Sequence, residues 1–413
     1  MIRSLRTGVS GLKSNQVRMD VIGNNVSNVN TTAFKRSRAT FNEVLGQQLL
    51  GVGRTAGGTG INPSYVGLGV SVGSIDQNWT QGALENTGVA TDLALNGDGF
   101  FVARNGDENL LTRAGNFTFN QRGELVTANG LNVRGWAYDQ STGELVTGAL
   151  SDINIDMNAQ APAKYTQNSI VGGNLSAEAE TGTVQPISST IYDEQGRAHN
   201  VVIEFTKTAN ANEWSYNVSY AGDAAPPPFS AIAGGTLTFN VDGTFDAASA
   251  NVMTWDPGYV SAAAPNDVIT LDFNGLTQYK GSTTATFHSQ DGYTAGVLQS
   301  YAITPEGILQ VSYTNGQTEN KFRLAIGHVN NPNGLEQHGE SFYRQSVSSG
   351  DLQLGQAGRD LRTAVVAGTL EMSNVDLASE FTEMIVAQRG YQASARVITT
   401  SDELLQETVQ LKR

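Results

Sequence analysis

Residues 1–30, MIRSLRTGVSGLKSNQVRMDVIGNNVSNVN, carry apolar residues at alternating steps of four and three. Leu5, Val9, Leu12, Gln16, Met19, Gly23 and Val26 form the row, and Ile22 and Val29 widen it. Such a row is a heptad seam and predicts a long one-sided helix. The other end of the chain repeats the rhythm in Leu377, Phe381, Met384, Gln388, Tyr391, Ala395, Ile398, Asp402, Leu405 and Val409. Asp376 stands where an N-cap would be. At about 1.5 Å per residue the two helices would run about 36 Å and about 51 Å. Rods of that length with one apolar side cannot bury that side alone. They either pack as a terminal pair on their own domain or pair with each other and with neighbouring copies. Gln16 and Gln388 are polar members of the rows, placed to fix helix register as single polar core positions do in coiled coils.

Charge favours contact between the ends. Through Arg38 the chain holds Arg3, Arg6, Lys13, Arg18, Lys35, Arg36 and Arg38 against Asp20 alone. From Glu371 onward seven acids meet four bases. Exposed pairs contribute only about 0.2 to 1 kcal/mol each, so they select orientation more than they stabilise. The bases lie round an amphipathic helix without interleaved aromatics and the whole chain is at −14, which argues against nucleic acid as a partner.

Between the ends the composition changes. Length, 413 residues, calls for two or three domains. A charged fraction of 15% and 46 glycines suit a secreted or surface β protein better than a cytosolic enzyme. Between Asp139 and Lys280 sixteen acids meet only Lys164, Arg197, Lys207 and Lys280, which predicts a solvent-facing stretch that repels its own kind. Cysteine is absent, so packing and assembly must supply stability. The N-terminus has no continuous apolar stretch of the signal-peptide kind, and no apolar run is long enough to span a bilayer.

Residues 31–72 read as a Gly-rich connector, with Gly51-Val-Gly53 and Gly57-Gly58-Thr-Gly60 excluding a continuous helix. From 73 to 150 short apolar runs alternate with Asn96-Gly97, Asp98-Gly99, Asn105-Gly106, Arg122-Gly123 and Asn129-Gly130, which are hairpin signals. A second β block covers 151–274, with alternation in Val201-Ile203-Phe205, Trp214-Tyr216-Val218, Leu237-Phe239-Val241 and Ile269-Leu271-Phe273. After Asn274-Gly275 the first style returns to residue 370. The predicted fold is mainly β with α-helical termini: two nested antiparallel β domains, the second (151–274) inserted in the first (73–150 and 275–370). A paired, coiled-coil-like helical domain from 1–30 and 371–413 completes it.

Convergent reactive groups are missing from the sequence. His199, His288, His328 and His338 stand apart with no ligand spacing, and Asp193-Glu-Gln-Gly196 reads as a hairpin loop. The Gly clusters lack a P-loop Lys-Ser/Thr, and there is no nucleophile elbow. The expectation is no enzyme, no catalytic residue, no cofactor, no metal and no small-molecule substrate.

Three separated motifs then converge on a family. Asp20-Val-Ile-Gly-Asn-Asn-Val-Ser-Asn-Val-Asn-Thr-Thr-Ala-Phe-Lys-Arg-Ser-Arg38 resembles the N-terminal signature of bacterial flagellar rod and hook proteins. Its marker residues here are Asn24, Asn25, Asn28, Phe34 and Lys35. Leu95-Asn-Gly-Asp-Gly-Phe-Phe-Val102 is similar to that family's β-domain signature, through Asn96, Gly97, Gly99, Phe100 and Phe101. Ser373-Asn-Val-Asp-Leu377 and Met384-Ile-Val-Ala-Gln-Arg-Gly-Tyr391 resemble its C-terminal signature, through Asn374, Val375, Gln388 and Arg389. Rod proteins of the group usually lack a large second β domain, so the insertion points to the hook branch. The resemblance implies a self-polymerising subunit of the tube that joins the motor's rod to the filament, and a place outside the cell without a cleaved signal. It further implies the rod protein, the hook cap, the hook-filament junction protein and the flagellar export apparatus as partners. A rod protein with an unusual insertion is the nearest rival, and a secreted β-rich adhesin a distant one.

Overall fold

The heptad rhythm and the β-branched alternation produce two kinds of structure in separate parts of the chain. The computed structural model describes residues 2–50, 53–54, 60–61, 64–140, 142–220, 234–246, 253–254 and 268–410. Helix α1 covers Ile2–Ser27 and helix α2 covers Leu377–Gln410. Everything else among the described residues is strand, turn or loop, apart from a single 3-10 turn at Pro332–Gly334. Asp376 caps α2: its carboxylate accepts from Ala378 N at 2.9 Å.

The chain divides into two compact units. One comprises Met1–Asp156, Tyr301–Val311 and Glu319–Arg413, the other Met157–Ser300 and Ser312–Thr318. The second unit therefore runs on to residue 300, past the expected end at 274. Asn274-Gly275 does not turn the chain; it lies inside the strand Val268–Thr277. A Cβ on Gly275 would stand 3.2 Å from Val171 O and 3.3 Å from Gly172 Cα of the neighbouring strand, so this glycine serves close approach.

The first unit is built on a sheet in the order Thr318–His328, Asn132–Ala137, Phe100–Asn105, Glu108–Thr112, Phe342–Arg344 and Glu336–Gly339. Asn105-Gly106 closes the hairpin between Phe100–Asn105 and Glu108–Thr112. Trp79, Phe100 and Tyr343 pack edge to face on one side, with centroids of Trp79 at 5.3 Å from Phe100 and 5.0 Å from Tyr343. Phe101 meets Phe117 at 5.0 Å. Gly97 and Gly99 have φ of +118° and +138°, and a Cβ there would meet Arg362 O at 2.8 Å and Ile326 Cγ2 at 2.7 Å. Both the backbone and the space demand glycine.

The second unit is a sandwich of two four-stranded sheets. One runs Val184–Tyr192, Ala198–Lys207, Glu213–Tyr220, Gly235–Thr238; the other runs Met253–Thr254, Val268–Thr277, Asn168–Asn174, Thr286–Gln290. Phe205, Trp214, Leu237, Leu271 and Phe273 fill the space between them. Pairing is antiparallel except that Asn168–Asn174 runs parallel to Val268–Thr277. Val241 lies beyond the strand it was expected to extend and is fully exposed in the following turn. Asp193 staples the 193–196 turn by accepting from the backbone of Gln195 and Arg197, and it meets His199 Nε2 at 3.1 Å.

Residues 31–72 read from the sequence as a Gly-rich connector without a continuous helix. The strand Ser37–Glu43 instead pairs antiparallel with Val70–Gln77, and the ribbon continues through Gln47–Leu50 with Ser64–Val66 and Gly53–Arg54 with Gly60–Ile61. Gly51, Gly57 and Gly58 lie outside the described residues.

Candidate functional site

Helices α1 and α2 run antiparallel, and their contact uses the smallest residues available. Ser4 Oγ lies 3.4 Å from Ser401 Oγ. A Cβ added at Gly8 would be 3.0 Å from Ile398 Cγ1, one at Gly11 3.0 Å from Ser394 Oγ, and one at Gly390 2.9 Å from Asn15 Oδ1. Further along, Arg18 meets Glu383 at 3.4 Å and Asn25 Nδ2 donates to Glu380 at 3.1 Å. The contact row of α1 is thus Ser4, Gly8, Gly11, Asn15, Arg18, Ile22 and Asn25. That of α2 is Glu380, Glu383, Ala387, Gly390, Ser394, Ile398 and Ser401, with Val397 at its edge. Both keep the 3-4 spacing of a heptad seam.

The expected apolar rows lie mostly one residue further along on each helix, hence beside the contact, although Ile398 of the α2 row touches Gly8. Val9 and Gln16 on α1 and Leu377, Phe381, Gln388 and Val409 on α2 are exposed, with Val9 at 49% and Phe381 at 50%. Leu5, Leu12, Met19 and Val26, with Met384, Tyr391, Ile398 and Leu405, are half-buried. In an antiparallel pair the flank one residue past the seam falls on the same side of both helices. The two rows therefore form one open apolar face. The opposite flank of α1 is covered by the chain's own ribbon, where Ser10 Oγ accepts from Val70 N at 3.3 Å and Thr7 lies against Gly69. Gln16 and Gln388 take no part in the contact between α1 and α2, so they do not set its register.

Register is set at the base of the pair by buried charge. Glu380 is 0% exposed; it takes Asn25 and an ion pair with Arg36, whose guanidinium also meets Glu383 at 2.9 Å. Burial pulls the Arg36 guanidinium down, but Glu380 and Glu383 outweigh it and its pKa is raised. Asn25 also exchanges two bonds with the Ser37 backbone, at 2.8 and 2.9 Å, tying α1 to the ribbon.

A second charged cluster joins the two ends of the chain beneath the helices. Lys35 is 1% exposed and Glu371 0%. Lys35 Nζ donates to Glu371 Oε1 at 2.6 Å and to Thr80 O at 2.8 Å; Arg113 reaches the other carboxylate oxygen at 3.5 Å, and Gly82 N donates at 3.0 Å. Burial lowers the Lys35 pKa more than Glu371 raises it, and burial likewise lowers that of Arg113. Asn374 completes the joint: Oδ1 accepts from Arg36 N at 2.7 Å, and Nδ2 donates to Asn78 O and Thr80 O. Phe34 and Val375 are half-buried beside it, and Asn28 binds Asn24 and Thr31 where α1 ends. Arg389 is exposed on α2, and Asn96, Gly97, Gly99, Phe100 and Phe101 belong to the sheet unit, apart from the helices.

Of the residues singled out from the sequence, the structure brings Asn25, Lys35 and Asn374 into these clusters. It adds Glu371, Glu380, Arg113 and the small-residue row, none of which apolar periodicity could signal. Among the described residues no group of three His, Asp or Glu side chains is placed to hold a metal ion, and no helix is long and apolar enough to cross a membrane.

Four family models match in order along the chain. They are the flagella basal body rod protein model at 5–35, the flagellar hook protein FlgE/F/G D1 domain at 94–170, the flagellar basal body protein FlaE D2 domain at 171–293, and the flagellar basal body rod FlgEFG protein C-terminal model at 366–411. They define a structural chain of the flagellar rod and hook class. Curated relatives narrow it. Flagellar hook protein FlgE of Treponema pallidum is 36% identical over 100% of both chains, and that of Escherichia coli 34% over 98% of both. That of Salmonella typhimurium is 32% identical over 99% of this chain and 100% of the relative. The chain belongs to the flagellar hook protein FlgE family, whose members are structural proteins and not enzymes. The crystal structure of Helicobacter pylori flagellar hook protein FlgE2 shares the fold, with a TM-score of 0.52 at 14% identity, covering 70% of this chain and 100% of that one.

Proposed function

We propose that this chain is the repeating subunit of the curved hook tube that links the motor's rod to the filament and transmits torque. The observation that carries the reading is the open apolar face: two long helices meet largely through small residues and leave Val9, Leu377, Phe381 and Val409 exposed and the other large members of the apolar rows half-buried. Burying that face against other copies supplies association free energy that a single chain lacks. Contacts of one surface with a different surface of the next copy do not close, and they generate a helical tube.

Domains follow the same division. Residues 1–30 and 371–413 assemble, and 31–72 connect them to the β units. The rod protein, hook cap, hook-filament junction protein and export apparatus are the partners such a subunit meets. Electron microscopy of purified full-length protein under polymerising conditions tests this reading. Curved tubes are expected; straight tubes would favour a rod protein, and a monomer at every concentration would overturn assembly.

A further inference from the structure

The helices contain four glycines, at positions 8, 11, 23 and 390. Glycine weakens a helix interior more than any residue except proline, so each needs a reason. Three have one inside the chain: at Gly8, Gly11 and Gly390 an added Cβ would come within 2.9 to 3.0 Å of the other helix. Gly23 has none. Its backbone is ordinary helix, and an added Cβ would find nothing within 4 Å. It lies in the row of Met19 and Val26, on the open apolar face.

Resting on the reading above, we infer that Gly23 is a notch in the open face, which receives an apolar side chain from helix α2 of a second copy. Charge selects α2 as the occupant. Arg6 and Lys13 border the open face of α1 and form no ion pair among the described residues, and neither do Asp402, Glu403 and Glu407 of α2. An α1-to-α2 contact between copies matches these signs, whereas α1 against α1 would oppose like charges. On the first half of α2, Ile385 at 58% and Val386 at 54% stand furthest into solvent, which suits them to enter a notch.

The full-length variants Gly23→Ala and Gly23→Leu test this beside the unaltered chain. Critical concentration is read by light scattering and microscopy, and monomer stability by thermal unfolding. Because space is open inside the chain, the monomer of Gly23→Ala is expected to melt no lower than the parent. Filling the notch is expected to raise the critical concentration about tenfold for alanine and to abolish tubes for leucine. Parent-like assembly of both variants would overturn the notch while leaving hook assembly standing. A lower-melting Gly23→Ala monomer would also overturn it, since the glycine would then have a reason inside the chain. Failure of the unaltered chain to polymerise would overturn both.

Discussion

Glu371 holds the most consequential position among the single residues. Its carboxylate is buried between Lys35 and Arg113 and also accepts from Gly82 N. Removing the anion that bridges the two buried cations leaves Lys35 without its charge partner and Arg113 with only Asp98, which typically costs about 3 to 5 kcal/mol. Glu371→Gln should therefore lower the stability of the first unit by that amount in urea unfolding. Lys35→Met should cost less, because Arg113 still pairs with Glu371 and an amine that burial disfavours is gone. The reverse order would refute this account. Tyr343 gives a pH dependence. Burial against Trp79 and Phe100 pushes its phenol up to about 12, outweighing a bond with Gln77 that lowers it. The unfolded chain releases this proton near pH 10, so the contribution is complete below that pH and lost as pH rises to about 12. Two pKa steps correspond to about 3 kcal/mol. Alkaline unfolding of Tyr343→Phe, compared with the parent, should lack that portion of the loss.

Helix against helix, the contact row and the apolar row make different predictions. The chain has no cysteine, so engineered pairs report cleanly. Ser4→Cys with Ser401→Cys should close an intrachain disulfide in dilute solution, since the two hydroxyls lie 3.4 Å apart. Gln16→Cys with Gln388→Cys should not close within one chain. Peptide mapping without reductant decides between them, and intrachain closure of the second pair would restore the apolar row as the seam. The heptad rhythm was legible because Leu5, Leu12, Met19, Met384, Tyr391 and Ile398 repeat at coiled-coil spacing. The contact one residue away was not, because Ser4, Gly8, Gly11 and Ser394 carry no hydrophobic signal. Buried Glu371 and Glu380 were illegible for the opposite reason: a carboxylate in sequence reads as surface until its cations arrive from residues more than two hundred positions away, as Arg113 and Arg36 do here.

For the molecule as a whole, the nested order was readable from the return of Gly-turn hairpins after the second β block. The place of return was not. Asn274-Gly275 has the composition of a turn, yet it sits in a strand whose parallel neighbour needs a glycine beside it. The same kind of cross-chain tie determines how the molecule can be divided by truncation. Cutting at 370 removes Glu371 and Asn374, which belong to the β unit's own joint although they lie beside the helix. A chain of residues 31–375 should therefore remain a folded, soluble monomer. In a chain of residues 31–370 the first unit should melt lower by about 6 to 12 °C, the equivalent of about 3 kcal/mol in a folding unit of about 190 residues. Neither should polymerise, because both lack the open apolar face that α1 and α2 build together. Tubes grown from residues 31–375 would show that the β units alone carry assembly, and equal melting of the two would remove Glu371 from the joint.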